Sequence, residues 1–364
     1  MFLVCKIMFI TQLNKWPHIK NRCVQIIDFL FEFRKMFIGS LIRFPYYFRN
    51  LFYSKVICGP KKHSYGAISN PGALLLNNHI LLLARAQWIP WYRAKGKNNK
   101  YYLTGKSLQF LLDKKNNTIL KSGSINNLDN FPTNKHFVIE DTRMFFFGKK
   151  IMINHSLINV GRINGVLSQV SVISALSELD LGGDKIVFRA IPNLDFPIQN
   201  MEKNWVYKEF EEKLLLFYSV NPYRVLALED KKFFVFKTII NERLSSKLTD
   251  PGGFGTRVSW STNPIEFDEN HCLIIIHQID FKLSGRCYYH WAVLIENVGF
   301  MPVKITRRPI FSGMGARGKS PGIRYITSIL KIENDICFFA GEGDLYVTSA
   351  KMKISELCSL FVGV

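Results

Sequence analysis

The residues best placed to do chemistry lie in one short run, Ile139-Glu140-Asp141-Thr142-Arg143-Met144, with Phe137 and Val138 before it and three phenylalanines after it. Two consecutive acids inside so apolar a stretch are costly to bury unless they have a role. If the run is a strand, its two-residue period puts Asp141 and Arg143 on one face and Glu140 on the other. A carboxylate beside a guanidinium is either a structural ion pair or an acid held near a substrate. Burial raises a carboxyl pKa and a neighbouring arginine lowers it, so the pair by itself leaves both readings open.

Other polar groups are scattered but similarly placed with respect to apolar runs. Asn70-Pro71 and Arg85 bracket SNPGALLLNNHILLLAR, where an Asn-Pro by itself is an ordinary turn. Lys203, Asn204 and Trp205 put a cation, an amide and an aromatic side by side, a set suited to a polyol or simply a turn with a packing tryptophan. His277 ends the run LIIIHQ, where a satisfied core histidine is the plain reading. With Arg257, Lys203 and Tyr288 it also makes an anion pocket of charge-assisted bonds. No histidine spacing suggests a metal, and no cofactor motif is present. The phosphate-binding loop, the nucleophile elbow and the dinucleotide fingerprint are all missing, which leaves nucleotide hydrolases, serine hydrolases and Rossmann oxidoreductases unsupported.

The elements that must carry these groups read as strands. A polar turn feeds an apolar strand at Asn77-Asn78, Gly148-Lys149-Lys150, Glu212-Lys213, Glu269-Asn270 and Glu333-Asn334-Asp335. Units recurring at roughly 60 to 70 residues, each too small to bury both faces, close radially into a propeller. Helical periodicity is confined to the chain before residue 55, to 104–113 and to 206–213. The stretch from about 95 to 135, rich in Lys and Asn, reads as an insertion on a surface loop.

Composition narrows the partners. The net charge of +20 attracts anions: nucleic acid, acidic lipid, sugar phosphates or nucleotide sugars. Nucleic acid is disfavoured because no recognisable nucleic-acid-binding domain accompanies the charge. Seven scattered cysteines form neither a disulfide framework nor a zinc motif, which fits a cytoplasmic compartment. Residues 24–44 are apolar over the length of a membrane span, but Asp28, Glu32, Arg34, Lys35 and Arg43 interrupt them. They read equally as a basic amphipathic helix on the inner face of an anionic membrane and as a helix packed on the main domain.

In order and approximate spacing these pieces resemble the inverting β-mannoside phosphorylases and their mannosyltransferase relatives. The resemblance runs from about Ser69 to Ala350, through Asn70-Pro71, Arg85, Glu-Asp-x-Arg at 140–143 and Glu-Lys-Asn-Trp at 202–205. Gly252-Gly253, His277, Tyr288 and Asp344 complete it. It implies an all-β, five-bladed β-propeller over 59–364, with 1–58 as a basic helical extension. It implies Asp141 as the proton donor. Asn70, Arg85, Glu140, Arg143, Asn204, Trp205 and Asp344 would bind substrate, and Lys203, Arg257, His277 and Tyr288 the anion. The expected activity is inverting transfer of a sugar, mannose by resemblance, to an oligosaccharide or glycan acceptor, with no cofactor. A sugar phosphate, a nucleotide sugar or inorganic phosphate is the second substrate. A phosphorylase cleaving β-mannosides and a non-catalytic glycan-binding propeller are the alternatives. The sequence departs from the family at Phe254-Gly255 and at FSGMGARGKSPGIRY, near the expected acceptor and anion positions.

Overall fold

The computed structural model describes residues 54–60, 65–87, 106–129, 137–163, 166–182, 184–282, 285–313, 316–317 and 322–364. The amphipathic segment at 24–44 lies outside the described residues. Among the described residues no helix is long and apolar enough to cross a membrane.

The chain is all-β, and its four sheets are arranged like the blades of a propeller. The largest has eight strands and consists of two antiparallel meanders, Ala67–Leu76 through Ile119–Asp129 and Phe137–Phe147 through Lys185–Ala190. Among the described residues, the strand pairing that joins them into one sheet is a parallel one between Ile119–Asp129 and Lys185–Ala190. A third meander runs from Val206–Phe210 to Val235–Glu242, and a fourth from Val258–Trp260 to Pro302–Thr306. The fifth, Arg324–Ile332, Asp335–Glu342 and Tyr346–Lys353, takes its outer strand, Lys55–Cys58, from the other end of the described chain.

The core sits between meanders. Leu74, Leu83, Met144 and Ile153 fill the space between the first and second, and Trp205, Leu214 and Phe145 that between the second and third. Phe217, Trp260 and Trp291 lie between the third and fourth, and Phe311, Ile326 and Phe338 between the fourth and fifth. Ile68, Phe110 and Phe339 join the fifth to the first, closing the ring. Each such side chain contributes about 1.5–3 kcal/mol by leaving water. Polar pins cross the same seams: Thr142 Oγ1 donates to the Leu83 carbonyl, Asn154 to Trp205, and the Tyr207 amide to Asn263. Lys331 donates to the Phe267 carbonyl and the Ala73 amide to Ser328.

The predicted turns at Asn77-Asn78 and Gly148-Lys149 connect paired strands, and Asn77 (φ 49°) and Gly148 (φ 57°) take the left-handed conformation that tight hairpins require. Three local expectations are corrected. Residues 104–113 and 206–213, read as helical, hold the strands Lys106–Asp113 and Val206–Phe210, and a new strand starts at Lys213. The supposed insertion from 95 to 135 supplies the third and fourth strands of the first meander. Leu108, Phe110 and Leu112 alternate into the core, and an apolar run that short fits helical and strand periods equally well. Lys55–Cys58, assigned by sequence to the extension, pairs as a strand with Tyr346–Lys353.

Candidate active site

Where the inner strands converge, the ladder is deliberately irregular. In the second meander Glu140 pairs with Ser156 and Arg143 with Asn154, so Asp141 and Thr142 together oppose one residue. In the first, Ser69 pairs with Arg85 and Gly72 with Leu83, the same bulge in the corresponding place. Asp141 and Asn70 both sit at positive φ, 53° and 51°, a conformation that L residues adopt only when the surroundings impose it. The two bulges aim the side chains at each other, and Asn70 Nδ2 donates to Asp141 Oδ1 at 2.7 Å. Gly341 makes this possible: a Cβ there would lie 1.9 Å from Asn70 Oδ1 and 2.8 Å from its backbone nitrogen.

The bulge also overturns the simple alternation predicted for this run. Arg143 does not pair with the Asp141 carboxylate; Nη1 donates to the Asp141 carbonyl at 3.1 Å. It is buried, and its remaining nitrogens donate to the Ser261 carbonyl, to Tyr325 Oη at 2.6 Å and to Asn204 Oδ1 at 3.4 Å. Arg143 is therefore a strut that ties the second meander to the segments around Asn204, Ser261 and Tyr325. Asn204, at φ 66°, accepts from both Arg143 and Tyr325, the latter at 2.9 Å.

Three further carboxylate positions follow. Glu140 is ion-paired with buried Arg85. Burial pushes the Glu140 carboxyl up, Arg85 opposes this, and Asp141 adds to the rise. Asp344, at φ 54° in the turn after Glu342, is also pushed up by burial; Arg85 opposes, the charge on Asp141 reinforces, and Arg286 opposes. Glu202 is turned away from the site, accepting from Tyr218 at 2.6 Å, from the Gln199 amide and from Trp205. Trp205 itself is 1% exposed, with its ring against Tyr218 in the core. It presents no face for a sugar, contrary to its expected role.

On the anion side, His277 is buried, with Nδ1 2.9 Å from Ser261 Oγ and its ring stacked on Tyr288 at 5.7 Å. Burial, reinforced by His290, Arg143, Lys203 and Arg257, holds it neutral. As a neutral imidazole it can line the anion pocket through a hydrogen bond, the positive charge coming from its neighbours. The exposed cations are Lys203, Arg257 and a residue the sequence reading missed, Arg286. Arg286 hydrogen-bonds Tyr288 and acts on Asp344 as well. Burial lifts the Tyr288 hydroxyl to about 12, so it stays a donor. Arg286 lies two residues before Tyr288 on one strand, and the two-residue period would have pointed to it. Tyr325, also missed, carries no motif. The Phe254-Gly255 departure is braced by Asp250, whose carboxylate accepts from the Phe254 and Gly255 amides at 2.9 and 3.1 Å, just before Arg257.

The assembled site sets the buried Asp141 carboxylate, with Glu140 and Asp344 near it, beside a rim of cations. Among the described residues no cluster of three or more His, Cys, Asp or Glu could hold a metal.

No family model matches the sequence, and no curated protein matches it. Solved structures do match in fold. A beta-1,2-mannobiose phosphorylase from Listeria innocua, in complex with beta-1,2-mannobiose, is 17% identical over 84% of this chain and 92% of its own, with a TM-score of 0.54. A GDP-Man-dependent mannosyltransferase from Leishmania mexicana is 11% identical over 88% and 92%, with a TM-score of 0.55. A mannose phosphorylase from the same organism, in complex with a phosphate ion, is 10% identical over 86% and 92%, again at 0.55. At these identities the likeness is one of fold, and it is the fold of the proteins whose motifs the sequence resembles.

Proposed function

We propose, taking that shared fold as the premise, that the chain is an inverting mannosyltransferase of the phosphorylase-like kind, with Asp141 as its proton-handling group. The supporting observation is the pairing of Asp141 with Asn70 through matched strained bulges, next to Lys203, Arg257, Arg286 and Tyr288. On this reading the two meanders of the eight-stranded sheet are separate blades, five in all, over 55–364.

The acceptor hydroxyl oxygen attacks C1 of the mannosyl donor from the face opposite the departing phosphate. The C1–O bond breaks with its electron pair going to the phosphate, configuration inverts, and the acceptor proton passes to Asp141. The leaving group is already an anion, so it needs no proton; the cations and the Tyr288 hydroxyl stabilise its charge. One carboxylate suffices, whereas an inverting hydrolase needs a second to activate water. Glu140 is held by Arg85, and Asp344 is assigned to sugar hydroxyls. Arg85 and Arg143 act as positioning residues.

The same cations suit inorganic phosphate, which makes phosphorolysis of β-mannosides the second reading; Asp141 then donates its proton to the glycosidic oxygen. The experiment incubates purified protein with a β-mannoside acceptor and either a nucleotide-mannose or mannose 1-phosphate, and runs phosphorolysis in parallel. Extension from the nucleotide sugar is expected. Turnover only with mannose 1-phosphate or phosphate replaces the transferase with the phosphorylase, and release of free mannose alone overturns both. Location on the inner face of a membrane through residues 24–44 remains part of the proposal. Vesicle flotation of full-length protein checks it.

A further inference from the structure

The inner strands run the same way through the middle of the ring. Two to five residues beyond Asn70, Asp141, Asn204, Ser261 and Tyr325, they line a second concavity. At about 3.3 Å per residue this lies roughly 10–15 Å further along the channel. The cavity, of about 360 Å³, takes residues 73–74, 144–146, 207–209, 263–266 and 328–330 from all the inner strands. None of them belongs to the site around Asp141.

Its chemistry is specific. Phe146 is 43% exposed where its neighbours Met144 and Phe145 are buried. The only charged residues lining it are Lys208, Glu209 and Glu266. Lys208 is almost wholly buried and its ammonium is paired with Glu266, which is 66% exposed. Glu209 accepts from the Gly148 amide. Carboxylates outnumber cations here, so an anion is repelled, in contrast to the cationic rim at the other end. A purely apolar ligand would strip water from the Lys208–Glu266 pair and give nothing back. A neutral polyol does neither: its hydroxyls donate to Glu266 and Glu209 and accept from Lys208, while its C–H face covers Phe146. The volume is in the range of small-molecule sites.

We infer that this far mouth is a second saccharide-binding site, holding a neutral glycan chain against Phe146 between Lys208, Glu209 and Glu266. Its existence rests on these residues; the choice of mannan as ligand rests on the function proposed above. The test is affinity electrophoresis of full-length wild type, Phe146→Ala and Glu266→Gln in gels cast with soluble mannan or with dextran. Initial rates on a disaccharide-sized substrate and thermal melts are measured alongside. Phe146→Ala should cut mannan-dependent retardation about fivefold, the worth of one aromatic contact, and leave the melting point and the small-substrate rate unaltered. Glu266→Gln, which takes the charge from the partner of buried Lys208, should cut retardation too, lower the melting point and leave the small-substrate rate unaltered. Retardation that neither change moves, or no retardation by mannan, overturns the second site. Retardation that depends on Phe146 in a protein without turnover would uphold this site and sink the proposed reaction instead.

Discussion

The two mouths of the channel are built from the same strands, a few residues apart, yet they obey different rules. At the Asp141 end, Asn70, Asp141, Asn204 and Asp344 all take positive φ, two of them on bulges. Polar side chains there are buried, and three of the four hydrogen bonds of Arg143 hold other segments in place, the fourth going to the Asp141 carbonyl on its own strand. At the far end, Ala73, Met144, Tyr207 and Ile329 continue ordinary strands and pack into the seams between meanders. Strain of about 1–3 kcal/mol per such residue is kept only where surrounding structure over-determines it. At Asn70 and Asp141 it falls inside strands, on bulges, whereas the positive φ values of Asn77, Glu211, Glu212 and Glu333 at the other end belong to hairpin turns, where that conformation is ordinary.

The most severe way to probe that asymmetry is Asp141→Asn. The amide keeps the shape but cannot take or give the proton, and turnover should fall by roughly 10²–10⁴-fold. The melting temperature should hold, because Asn70 still finds an oxygen at the same place. Full activity would remove Asp141 from the chemistry. Arg286→Ala comes next. Losing one charge-assisted contact, about 1.5–3 kcal/mol, should raise the KM for the phosphorylated substrate roughly 10- to 100-fold with little change in kcat. An unchanged KM would separate Arg286 from the anion site. Gly341→Ala tests the strain itself. The added methyl must push Asn70 away and tilt the Asp141 carboxylate, so kcat should drop about tenfold while KM for the anion stays put. Two methyls added instead at the far mouth, as Ala73→Val, give no such loss of kcat.

How far these two ends were legible in the sequence follows from the same contrast. Alternation, turns and apolar runs announced the strands, including the turns at Asn77-Asn78 and Gly148-Lys149. They failed over Lys106–Asp113 and Val206–Phe210, where a short apolar run fits two periods. Asp141 stood out because acids in an apolar run demand a reason. Its partner did not, since the alternation that gave Arg143 is broken by a bulge with no composition of its own. For Trp205 and His277 the residue types left core and ligand roles open and the resemblance implied the ligand role; burial assigns Trp205 to the core and pushes the His277 pKa down. Arg286 was within reach of the two-residue period from Tyr288, but Tyr325 becomes visible only when distant strands are brought together. The far cavity was invisible for the same reason, because no single segment holds more than four of its residues.

The smallest effect concerns acid. His277 and His290 lie beneath the Asp141 end and His155 in the second meander, all buried. Burial drives His155 down to about 4 and His290 to about 3, and His277 well below its usual range. The groups facing His277 are His290, Arg143, Lys203 and Arg257, with Tyr288 and Tyr325 against its ring; Arg324 faces His290. For each histidine the folded pKa lies below the unfolded value near 6.5, so between about 6.5 and 4 the unfolded chain binds more protons. Stability is therefore full above about pH 6.5 and falls as the pH drops through that window. Glu140 and Asp344 act with the opposite sign. Their raised folded pKa values stabilise the protein at low pH, and that contribution is lost as the pH rises through them. The net curve should decline toward pH 4 less steeply than three histidines alone would give. Removing one of them tests the account: in His155→Gln, melting temperatures from pH 7 to pH 4 should trace a flatter decline. An unaltered slope would place the acid sensitivity elsewhere.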